Sequence, residues 1–462
     1  MATVKSFSAA SQPLTLRRSV FNLALPAVGE QVLNTLVGLS DTFLVGHLSM
    51  DASRKLGYDS ATALAGVGLA NQMVWLVTVF FIAVSVGSTA LIARHKGANE
   101  MPSANRVLQQ SLLIGLAMGL AATMAALLLA PASMRLLGAG PDVLPLGVAF
   151  FRIAGLTFAP AALLFVGNAA LRGVGDTRTP LLVMLGVNGV NILLSWLLVN
   201  GNLGMPTLGV EGSAVGAAVA RGGGGLFLVW LLLRGRSGLQ VERRLRVDWS
   251  AIKRIVKIGA PSGGEQIVFQ GALLIFIGFV TSLGTVAYAA HNVVLSIESL
   301  SFLPGLGYAV AASALVGQRL GAGEPDAAQD NAYEALRQGA LMMTTLGVIM
   351  ILFPHQLITL FVNDPDVAAM GANSMRIAGL FQPFLALNFI LSGALRGAGD
   401  TRFPMYSKLV TTWGIRLPLV FGALALGWGL TGIWAAMTID FAAQSLLALW
   451  RFRQNRWRSI RV

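Results

Sequence analysis

The chain has no cysteine, only four histidines and few charges, which make up 11% of its 462 residues; soluble domains carry roughly a quarter. Without cysteine there are no disulfides and no thiolate metal sites. The histidines are scattered and show no zinc-ligand spacing. No paired-aspartate motif for magnesium is present, and the GlyValGlyAspThr run at 173–177 follows no strand and lacks the lysine of a phosphate-binding loop. A nucleotide-driven machine, an enzyme and a cofactor-dependent protein are therefore not expected. A short apolar leader with a small-residue cleavage site is also missing. Polar residues run to Arg18 and a long apolar stretch follows, so nothing is expected to be removed.

Apolar residues fill the space the charges leave. They make up 55% of the chain, and the mean hydropathy is +0.70. Twelve apolar spans fit the length, from 19–46 to 430–451, among them 146–170 and 403–426. The net charge of +13 could suggest nucleic acid, but its placement argues against that partner. Of the 33 Lys and Arg, 26 fall in alternate connections and the two tails. The exceptions are Arg54, Lys55, Arg135, Arg152, Arg221, Arg376 and Arg416. This bias places both termini in the cytoplasm and the chain in the inner membrane as a multi-pass protein.

The chain is internally duplicated. AlaLeuArgGlyValGlyAspThrArg at 170–178 returns as AlaLeuArgGlyAlaGlyAspThrArg at 394–402, each followed by a proline. ArgIleAlaGlyLeu at 152–156 recurs at 376–380, and ProAlaValGlyGluGln at 26–31 is matched by ProSerGlyGlyGluGln at 261–266. The change of offset puts a longer loop at 47–61 in the first half. The expected fold is an all-α integral membrane protein with two six-helix lobes related by a pseudo-twofold axis along the membrane normal. The lobes span 1–233 and 254–462, joined by a basic linker at 234–253 lying on anionic headgroups.

Charge inside a bilayer is costly, so intramembrane ionisable residues are functional candidates. The duplication sorts them. Glu30 and Glu265 are matched, each four residues past a proline, and suit a structural role. Asp41 is unmatched, because Phe276 holds the equivalent position. Asn191 and Ser195 share one helix face four residues apart, at the depth of Asp41, and Ser213 could join them. These four are the candidate ion-coupling set, with Asp41 and Asn191 a possible sodium site. Asn188, Glu265, Glu298, Arg416 and Asp440 are candidates for the substrate cavity. The glycines at 222–225 beside Arg221 allow either a bend or close packing, and the many Met and Phe residues would suit apolar cations.

The ProAlaValGlyGluGln and AspThrPheLeuValGly segments, with the repeated AlaLeuArgGlyXaaGlyAspThr loop, resemble the multidrug and toxic compound extrusion (MATE) family over essentially the whole chain. SerIleGluSer at 296–299 and Arg416-Leu417-Pro418 resemble its DinF-like branch. The resemblance implies an antiporter that exports amphipathic, mostly cationic organic compounds in exchange for protons or sodium. It implies alternating access between the lobes, and no cofactor beyond the coupling ion. The partners expected are a small organic cation and the lipid bilayer, and the chain is expected to be a monomer. The family's first-helix aspartate falls on Asp41 and its fifth-helix asparagine on Asn191. The second acid of that pattern is replaced by Ser195, and Phe269 stands near the seventh-span acid of some branches, with Glu265 a shifted neighbour. The alternative is a flippase for a lipid or lipid-linked sugar.

Overall fold

The computed structural model describes residues 13–241 and 246–460, so four positions of the basic linker and both chain ends lie outside the described residues. The first half contains α1 (Pro13–Gly46), α2 (Met50–Leu56), α3 (Ser60–Gly97), α4 (Met101–Leu136), α5 (Leu144–Gly155), α6 (Phe158–Gly173), α7 (Arg178–Val199) and α8 (Val210–Leu233). The second half contains α9 (Trp249–Thr281), α10 (Thr285–Gly321), α11 (Pro325–Leu352), α12 (Pro354–Thr359), α13 (Pro365–Gly397), α14 (Arg402–Thr411), α15 (Leu417–Ala425) and α16 (Gly429–Arg453). Among the described residues, ten helices are long and apolar enough to cross a bilayer. Helices α5 and α6 pass the same test as a pair, bent by 57° at the break between them. Residues 402–425, where a further span was expected, run as α14, one π turn at Thr412–Arg416 and α15.

The interruptions have local causes. Proline has no N–H and its ring crowds the carbonyl four residues back. Pro160 therefore disturbs Leu156, where α5 ends and the pair bends. Pro418 leaves the Gly414 carbonyl without its usual donor, inside the π turn. The 47–61 insertion folds as α2, capped by Ser49, whose hydroxyl accepts from the Ala52 N–H at 3.2 Å. The insertion packs over the start of α8, where the Val210 N–H donates to the Tyr58 hydroxyl at 3.1 Å.

The duplicated loop ends α6 and α13 in the same way. Gly175 and Gly399 take φ values of +91° and +92°, a conformation that costs other residues strain. The next N–H reaches back to Leu171 or Leu395, at 2.9 and 2.8 Å, and closes each helix end. The following aspartate ties each lobe to the end of its last helix. Asp176 receives the Ser237 hydroxyl at 2.5 Å with Arg236 3.6 Å away, and Asp400 receives Arg451 Nε at 2.8 Å. Partial burial alone would raise the Asp176 carboxyl. The Ser237 hydroxyl, the Thr179 N–H and hydroxyl, and Arg236 together outweigh burial and hold it below the ordinary value.

The two halves meet by exchange at this end of the molecule, the basic end. Val20, Ala24 and Val28 of α1 are buried in the core of the second half. Ile255 and Ile258 of α9 are buried in the core of the first. Small residues permit the approach: Gly307 of α10 lies against Val28, and Gly87 of α3 against Ile255. The contacts are clasped by two residues at matched positions of the repeat. Arg94, ending α3, donates to the Ala398 and Ile460 carbonyls at 3.3 and 3.0 Å. Gln318, ending α10, donates to the Gly173 carbonyl at 2.8 Å. Each helix end grips the duplicated loop of the opposite half.

Candidate functional site

Asp41 lies near the end of α1 away from the duplicated loops, and only 1% of its surface is exposed. Its Oδ1 accepts from Asn191 Nδ2 and from the Ser213 hydroxyl, both at 3.1 Å. Asn191 Nδ2 also lies 3.5 Å from the Ser195 hydroxyl, and the Ser40 hydroxyl lies 3.0 Å from Asn191 Oδ1. The amide thus turns its N–H side to the carboxylate and its oxygen to Ser40. Helices α1, α7 and α8 each supply part of this cluster. Helices α7 and α8 come close enough for it because Gly216 of α8 lies against Ser195 and the Asn191 carbonyl. The four residues singled out by spacing are therefore neighbours, all buried.

The cluster backs onto a pocket between α1, α3, α5, α6 and α8. Its wall is largely aromatic, with Phe81, Phe150, Phe158 and Phe165, and carries the small polar groups of Asn71, Thr78 and Thr157. The two ionisable groups on the wall are Asp41 and Arg221. Sequence reasoning placed Arg221 well inside a span, at the start of a glycine run, but did not assign it to the site. Its cavity position depends on which way α8 faces, and its helical register against Ser213, eight residues earlier, was the available signal. The glycines resolve toward packing: Gly222 and Gly225 lie against Thr157 and Pro160.

The other candidates divide. Asn188 does not reach the cavity; its amide donates to the Leu33 and Met184 carbonyls at 3.0 and 2.9 Å and joins α7 to α1. In the second half, Arg416 is aimed from the π turn onto α16, where its Nε donates to Asp440 Oδ2 at 2.7 Å. Gln444 donates to Asp440 Oδ1 at 2.9 Å and accepts from Asn388 at 3.0 Å. Glu298 is buried on α10 with Arg416 as its facing charge. Glu265 borders a smaller pocket with Lys408, Ser407 and Gln444.

The matched acids have matched partners that sequence reasoning missed. Arg172 donates to Glu30 at 2.5 Å, and Arg396 to both oxygens of Glu265 at 2.9 Å, with Lys408 at 3.5 Å. Both arginines belong to the AlaLeuArgGly motif, so their recurrence 224 residues apart was the overlooked signal.

Comparison with known proteins gives a consistent neighbourhood. The family model MatE matches residues 26–197 and 261–421. The probable multidrug resistance protein NorM of Thermotoga maritima is 33% identical over 452 residues, covering 96% of this chain and 93% of that protein. The multidrug resistance protein NorM of Burkholderia vietnamiensis is 29% identical, with 96% of each chain covered. A structure of a multidrug resistance MATE family transporter in an outward-facing conformation superposes with a TM-score of 0.87 over all of both chains, at 21% identity.

Proposed function

The chain belongs to the MatE family, and on that premise we propose that it is a secondary-active antiporter. It exports amphipathic organic compounds, cationic ones among them, in exchange for protons or sodium. Membership makes it a multi-pass membrane protein of a multidrug efflux family; the coupling and the cargo charge are our reading. The observation that carries it is Asp41, a carboxylate absent from the second half, sealed among neutral donors at the edge of an aromatic cavity. A buried acid that exchanges its charge for a bound proton or ion biases a two-state protein, as coupling requires.

We favour protons. Sodium prefers several oxygen ligands, yet Asn191 presents its N–H side to Asp41, and Arg221 adds a like charge to any entering cation. We place the lobes at 1–233 and 254–462 around a cytoplasmic linker at 234–253, with both termini cytoplasmic, in the inner membrane as a monomer of the DinF-like branch. A flippase for an anionic lipid is the less favoured alternative, since the Nε of Arg416 is paired with Asp440. The test is ethidium efflux from a pump-deficient bacterium, driven by an imposed pH gradient and then by an imposed sodium gradient. Efflux driven by pH alone is expected. Drive by sodium alone would overturn the proton reading, and no efflux of any cationic dye at confirmed membrane expression would overturn the exporter.

A further inference from the structure

The two charges on the wall of the pocket beside Asp41 are unequally presented. Asp41 is 1% exposed and its Oδ1 is occupied by Asn191 and Ser213, whereas the Arg221 side chain is only partly covered. Among the described residues no other group satisfies that guanidinium. Among the described residues the charge acting on it is Asp41, and it makes no close ion pair. Other ionisable groups on the surrounding helices are engaged or point elsewhere. Glu30 is held by Arg172, Glu211 and Arg178 sit on exposed first turns, Glu298 faces Arg416, and Arg94 reaches the opposite half.

A guanidinium on a largely aromatic wall is favoured by a counter-ion, and its planar fork fits a carboxylate in two-point contact. While Asp41 is ionised the pair is neutral and the cavity offers no net charge. Once Asp41 holds a proton, Arg221 is left without compensation. We propose that Arg221 is a specificity-determining residue that gives this cavity an anion subsite for aromatic carboxylates. The anion replaces Asp41 as the counter-ion of Arg221, and the four phenylalanines cover the ring. The proposal rests on the transporter reading and adds a second cargo class to it.

The test is equilibrium dialysis of the full chain in neutral-lipid nanodiscs, corrected for empty discs, with three probes of one shape: 2-naphthoate, 2-naphthamide and (2-naphthylmethyl)trimethylammonium. The parent is expected to bind naphthoate about tenfold tighter than the amide, the scale of one charge-assisted contact. Arg221→Gln should erase that preference and Arg221→Lys keep part of it, because a point charge lacks the fork. Asp41→Asn should tighten naphthoate while weakening the trimethylammonium probe, by removing the competing counter-ion. A preference unchanged in Arg221→Gln, or naphthoate weakened by Asp41→Asn, would overturn the proposal. If Arg221→Gln does not fold, the opposite responses of the two probes to Asp41→Asn still decide it. Ethidium efflux is measured separately: its absence with naphthoate binding intact sinks cation export and leaves the anion subsite standing.

Discussion

At the scale of single residues, the two kinds of buried acid should fail in different ways. Asp41→Asn keeps the size and the contact with Ser213, so folding should be preserved while gradient-driven efflux is lost. Glu265→Gln should do the reverse. It removes the charge that Arg396 grips with both contacts and Lys408 approaches at 3.5 Å. Breaking a buried pair from one side costs about 3 kcal/mol. Melting in detergent and efflux per folded molecule, measured side by side, check both. A parental melting point for Glu265→Gln, or parental efflux for Asp41→Asn, would count against the assignment. The first cluster was legible because Asn191 and Ser195 are one helical turn apart and Asp41 breaks the repeat. Arg221 was not, because spacing along α8 cannot say which neighbouring helix it faces.

At the scale of elements, the spans were legible from hydropathy but their interruptions were not. Pro160 ends α5 with a 57° bend, yet Pro383 sits inside α13 without breaking it. Proline alone therefore does not say which of the two turns breaks. The duplicated loop is the reverse case, since its repeated glycines already announce a turn that only glycine adopts easily. Gly175→Ala and Gly399→Ala should each destabilise by about 1–2 kcal/mol, the strain of a side chain in the left-handed region. Thermal melting of the two variants checks this. A near-zero change at either would mean the loop relaxes to another geometry.

At the scale of the whole molecule, the duplication announced two lobes, while the exchange of α1 and α9 between their cores was beyond its reach. Two halves so interlocked should hold together without the covalent linker. Expressed as separate chains split between residues 241 and 246, they are expected to co-purify in detergent. Recovery of each half alone would show that the crossed packing is weaker than the buried residues on α1 and α9 imply. The clasp at the basic end carries a further meaning. One position, Arg94 in the first half and Gln318 in the second, meets one loop, reciprocally. That reciprocity is the signature of an isologous contact, the kind formed by two identical subunits about a dyad. The chain is built as a homodimer fused in tandem. Fusion releases paired positions from having to be the same residue, and Arg94 shows the result, since it also holds Ile460 of a tail that follows only the second copy.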